Sequence, residues 1–122
     1  MVVLQAAHSV EEIIFKFHEA FPPMQSIYRR APSLAQPAFV LFNSVLILSA
    51  LLCFFHWVRP ARAGARAVLW VWVGIQLATV AAHVVWLALA GGYHPGLATV
   101  PALAAAAAYM TYRLAGASPA AP

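Results

Sequence analysis

His8, Glu11 and Glu12 are the side chains of this sequence best placed to do chemistry together. On a helix, a histidine at position i stacks over carboxylates at i+3 and i+4, so the run His8-Ser9-Val10-Glu11-Glu12 lets three titratable groups share a proton or a ligand. The 122 residues contain three acidic side chains, two in this run and the third at Glu19, and no aspartate. Two adjacent carboxylates with a histidine titrate as a coupled unit, expected to hold one proton at neutral pH. Such a cluster suits general acid/base chemistry on a lipid-soluble substrate, or proton relay, with His8, Glu11, Glu12 and the distant His83 as the working groups.

A metal site is the second option, ranked behind metal-free proton chemistry. His8, Glu12 and His83 form a set of two imidazoles and one carboxylate, suited to a single divalent ion such as zinc or mononuclear non-haem iron with a position left for water. A bundle-type di-iron site needs about four carboxylates, and only three exist. The motif is also not the zincin H-E-x-x-H, because the second histidine on the same helix is missing. The plainer reading pairs Glu12 with Lys16 within one helix and His8 with Glu11 as a packed polar contact. For ionisable groups inside a membrane, function is the better default.

The composition sets the environment. The chain is 64% hydrophobic and 8% charged, with a mean hydropathy of +0.81, which places it among membrane proteins and not soluble domains. Its formal charge of +4 comes from arginines scattered over loops and helix ends, so it reads as a topology signal, and no nucleic-acid partner is expected. Cys53 is the only cysteine, which excludes an intrachain disulfide and a cysteine-based metal cluster. The N-terminus lacks the basic lead and uninterrupted apolar core of a cleavable signal peptide.

The expected fold is an all-α membrane protein, a bundle of four transmembrane helices in one domain over residues 1–115, with a flexible tail at 116–122. The helices are placed at about 2–21, 38–58, 67–90 and 96–114. The first is amphipathic: Gln5, His8, Glu12, Lys16 and Glu19 share one side, and Val3, Ala6, Val10, Ile13, Ile14, Phe17 and Phe21 the other. Surface-seeking helices are rich in Lys and Arg, whereas this one has three Glu against one Lys. It is therefore expected to span with its polar face inward, although residues 1–21 supply only about 30 Å. Residues 22–37 read as a proline-punctuated loop, Pro37 as the first turn of the second helix, and Pro101 as a kink in the last. The alanine run at 104–108 favours close packing in lipid and an oligomer contact. Arg59, Arg62, Arg66 and Arg113 gather on the side of both termini, against Arg29 and Arg30 on the other, which favours cytoplasmic termini in the cell membrane.

These elements bring the polar groups to one depth. His83 lies eight residues before the Gly91 break and Glu12 nine before Phe21, so on helices running the same way they sit at a similar level. Gln76, Thr79 and His83 form a stripe on the third helix, and Asn43 on the second reaches a similar depth. Asn43, Gln76, Thr79 and Tyr93 are therefore the expected supporting groups. His18, Glu19, His56 and His94 are expected to be solvated at membrane boundaries.

The order His8-x-x-Glu11-Glu12, then His83, then Tyr93-His94-Pro95-Gly96 resembles the HXXEE family of small bacterial and archaeal membrane proteins. The resemblance covers nearly the whole chain and implies an integral membrane protein with those residues as its motif, Pro95 and Gly96 serving as a structural turn. It implies no substrate. Three functions stay open: an intramembrane acid/base or metal-assisted enzyme acting on a lipophilic small molecule in a cavity that opens to lipid, a small transporter or proton pathway, and a non-catalytic membrane partner protein whose cluster is a polar lock.

Overall fold

The computed structural model describes residues 1–116, apart from the side chains of Pro23, Ile27 and Tyr28, so the tail expected beyond Gly116 lies outside the described residues. Every regular element among the described residues is helical: α1 (Val2–Ile14), α2 (Phe17–Ala20), α3 (Pro22–Tyr28), α4 (Pro32–Cys53), a π-helical turn (Phe54–Val58), α5 (Ala65–Ala90) and α6 (Val100–Gly116). Pro32–Val58 and Ala65–Ala90 are long and apolar enough to cross a membrane. Only 17% of the most apolar stretch of each is buried within the chain, so neither is the enclosed core helix of a small soluble domain.

The interior is as polar as it is apolar. Gln5, His8, Ser9, Glu11, Glu12, His18, Asn43, Gln76, His83 and His94 are buried, while Leu41, Phe42, Leu52, Val71 and Leu89 lie on the exterior. Soluble proteins show the opposite distribution, since an ionisable side chain without water needs partners. On α1 all five buried residues are polar, and Val3, Val10 and Ile14 face outward. The polar face of the first helix points into the interior, as its periodicity requires.

The first helix is not continuous to residue 21. It ends at Ile14, about 20 Å of rise, and Lys16 adopts a left-handed conformation (φ 54°, ψ 51°) before α2 begins. No glycine or proline announces this break. Its effect is to turn Phe17 and His18 inward, where the Phe17 ring stacks on Phe39 and meets His83 and Trp86. Lys16 consequently pairs with Glu19 (3.1 Å), not with Glu12.

Prolines start helices here more often than they interrupt them. Pro22 follows extended Phe21 and opens α3 inside the expected loop, and Pro32 follows Ala31 and opens α4 six residues early, which leaves Pro37 inside the helix. Pro101 falls in the first turn of α6, where an absent N–H costs nothing, so the expected kink gives way to a later helix start. Gly91 closes α5 in the left-handed conformation, its N–H donating to the Leu87 carbonyl. The α6 face formed by Val100, Leu103, Ala107 and Leu114 is buried, and Arg66 of α5 donates to the Leu114 carbonyl at 2.8 Å.

Candidate functional site

Two contacts fix α1 against α5. Gln76 Nε2 donates to Gln5 Oε1 at 2.6 Å, and His83 Nε2 lies 3.4 Å from Glu12 Oε1. Both pairs rise together in sequence, so the helices run in the same direction, and residues seven apart on α1 meet residues seven apart on α5. The depth match expected of Glu12 and His83 is thus realised as direct contact. His8 joins them from one turn earlier on α1, its Nε2 3.4 Å from the same Glu12 oxygen. One ligand atom from each of His8, Glu12 and His83 lies within 4.8 Å of the other two.

Glu11 faces a different way. Its Oε1 accepts from the Tyr93 hydroxyl (2.9 Å) and from the backbone N–H groups of Gly96 (3.1 Å) and Ala98 (3.0 Å); its Oε2 accepts from the Thr99 N–H (3.0 Å) and hydroxyl (2.8 Å). Three N–H groups of the turn ahead of α6 would otherwise be orphans at a helix start. The carboxylate of Glu11 therefore fastens the 93–99 segment to α1, and the adjacent glutamates divide the work: Glu11 holds the loop, Glu12 meets the histidines.

That loop closes over the imidazoles. Gly96 has φ +91°, and a Cβ built on it would fall 2.5 Å from His83 Cε1 and 2.9 Å from His8 Cε1. Only glycine permits both that backbone conformation and that approach. Pro95 and Gly96 are buried parts of this lid, and so is His94, which was expected to be solvated. His94 Nε2 is 3.1 Å from His83 Nδ1, and its Nδ1 is 3.4 Å from the Gly92 carbonyl. Burial pushes the His94 imidazole below the usual histidine range, and desolvation with the neighbouring Glu11 carboxylate holds the Tyr93 phenol above its ordinary value.

The partners of each ring fix which Nδ1 carries a proton. Thr99 Oγ1 lies 2.8 Å from Glu11 Oε2, 3.0 Å from the Gly96 carbonyl and 2.7 Å from His8 Nδ1. A carboxylate and a carbonyl only accept, so the single hydroxyl proton goes to one of them and His8 Nδ1–H must donate to Thr99. On the other side, His94 Nδ1–H donates to the Gly92 carbonyl, which leaves its Nε2 to accept from His83 Nδ1–H. With Nδ1 of each ring engaged elsewhere, both imidazoles turn Nε2 toward Glu12, and His8 Nε2 is buried with no hydrogen-bond partner among the described residues. Two imidazole nitrogens and a carboxylate oxygen brought together in this way form a group that could hold a metal ion.

Of the expected supporting groups, Tyr93 reaches the site through Glu11, and Gln76 reaches α1 through Gln5, one turn before His8. Asn43 is buried but donates to the Phe39 carbonyl of its own helix, and Thr79 donates to the Ile75 carbonyl. Neither contacts the cluster through these bonds. Thr99 and His94 are the two residues that sequence reasoning missed. His94 lies inside the Tyr93-His94-Pro95-Gly96 motif, where the sequence suggests only a solvated turn residue, and Thr99 carries no signal beyond its place before α6.

The family described as proteins of unknown function with an HXXEE motif matches residues 1–111. The chain belongs to the HXXEE family. No curated protein and no solved structure matches it. Within this HXXEE protein the motif histidine and the second glutamate form the cluster with His83, and the first glutamate is spent on the lid.

Proposed function

We propose that this HXXEE protein is an integral membrane protein that binds one divalent metal ion through His8 Nε2, His83 Nε2 and Glu12 Oε1, and uses it in acid/base or hydrolytic chemistry on a lipophilic substrate. The observation that carries this reading is the convergence of two Nε2 atoms on one carboxylate oxygen. Two ligands about 2.1 Å from a tetrahedral ion stand about 3.4 Å apart, the separation of each imidazole nitrogen from Glu12 Oε1. Each ligating ring also has its other nitrogen anchored, His8 by Thr99 and His83 by His94, as metal-bound histidines do. The donor set ranks metal-assisted chemistry above the metal-free proton chemistry favoured by sequence alone.

A bound ion would supply Lewis acidity and a water of lowered pKa. The chain's own contributions are orientation and exclusion of water. Glu12 has the most exposed side chain of the three, at 11% against 1% and 3%, so a substrate approaches from its side. The exposed apolar flanks of α4 and α5 support a bilayer around the bundle. Met1, the 59–64 turn and the C-terminal end of α6 gather at one end with four arginines, which favours cytoplasmic termini.

The test is elemental analysis of protein purified from membranes that resist alkaline extraction. Wild type carries close to one divalent ion per chain, and Glu12→Gln and His83→Ala lose it while keeping their helical circular dichroism. Wild-type protein that holds no zinc, iron or manganese after dialysis against each would overturn the metal reading.

A further inference from the structure

Away from the histidines, a cavity of about 470 Å³ opens between α1, the end of α4, α5 and α6. That volume falls within the range of small-molecule sites, about 300–1,000 Å³. Its walls are apolar, with Ala50, Cys53, Trp72 and Met110 among them, and two polar side chains, Gln5 and Gln76, also line it. No charged side chain lines it.

The two amides do not satisfy each other. Gln76 Nε2–H donates to Gln5 Oε1, and Gln5 Nε2–H donates to Ser9 Oγ at 3.3 Å, which leaves Gln76 Oε1 buried without a hydrogen-bond partner among the described residues. Turning both amides over moves the deficit to Gln76 Nε2 and makes it a donor that lacks an acceptor. A hydroxyl group can donate or accept, so it completes the pair in either orientation.

We infer that this cavity binds a single-chain amphiphile with a neutral hydroxyl head, the hydroxyl meeting the Gln5–Gln76 pair and the hydrocarbon chain filling the apolar walls. The inference is independent of the metal reading. Gln76 stands two helical turns, about 10 Å, from His83 along α5, and the recognition uses none of the His8, Glu12 and His83 atoms.

Cys53 lines the cavity and is the only cysteine in the chain, so its alkylation reports occupancy. The protein, reconstituted in phosphatidylcholine nanodiscs, is treated with N-phenylmaleimide in the presence of 1-hexadecanol or hexadecane. At ten times the dissociation constant, hexadecanol slows alkylation about tenfold, and hexadecane at the same concentration much less. Gln76→Leu removes the difference between alcohol and alkane, and Ala50→Phe, which fills the cavity, removes protection by both. Equal protection by alcohol and alkane in wild type overturns the assigned head group; no protection by either, or protection that survives Ala50→Phe, overturns the site. Glu12→Gln is expected to keep the protection, so loss of metal and loss of the amphiphile site are read separately.

Discussion

His83 Nε2 lies 3.4 Å from Glu12 Oε1, and the same offset of 71 positions joins Gln76 to Gln5. One parallel pairing of α1 with α5 therefore creates both the candidate metal centre and the amide pair at the wall of the apolar cavity.

His94 anchors the ring of His83 without facing Glu12. His94→Ala is expected to weaken metal affinity about 10- to 100-fold and to leave the stoichiometry at one, because the ligand atoms remain. Competition with a chromogenic chelator measures it, and affinity equal to wild type would remove His94 from the site.

Glu11 and Glu12 should separate cleanly. Glu11→Ala strips five donors of their acceptor and is expected to destabilise the protein by about 3 kcal/mol, seen as a lower thermal midpoint in detergent. Glu12→Ala should cost less stability and abolish metal binding. The reverse ranking would overturn the division of labour between the two carboxylates.

Gly96→Ala tests the lid. The added methyl would meet His83 Cε1 at 2.5 Å on a backbone already at φ +91°, and a loss of about 2 kcal/mol is expected together with weaker metal binding. Gly92→Ala, where a Cβ meets nothing within 4 Å, is the control and should change little.

Lys16→Gly removes left-handed strain from a residue with a Cβ. It also gives up the Lys16–Glu19 pair, whose side chains are more than half exposed and which contributes little. A net gain of about 0.5 kcal/mol is expected in thermal unfolding. A clear loss would show that the bend depends on the lysine stem and not on the backbone alone.

The sequence by itself determined that the chain is helical, that α1 turns its polar face inward, and that His8, Glu12 and His83 belong together. Each follows from a period or a rise per residue: 100° sorts Gln5, His8 and Glu12 onto one side, and 1.5 Å per residue puts Glu12 and His83 at one depth. What local pattern cannot carry was decided by tertiary contact. Lys16 bends the chain although neither it nor its neighbours are turn formers, because inward packing of Phe17 and His18 outweighs a local preference for continuing the helix. Pro101 opens α6 instead of kinking it, because Glu11, on a helix far away in sequence, takes the N–H groups of the turn before it. For the same reason spacing alone put both Glu11 and Glu12 within reach of His8, and only the fold gave Glu11 its own task at the 93–99 turn. A hydrogen bond is assigned only when both partners are in place, so the roles of Glu11, Thr99 and His94, and with them the ring orientations that aim two Nε2 atoms at Glu12, exist only in the folded chain.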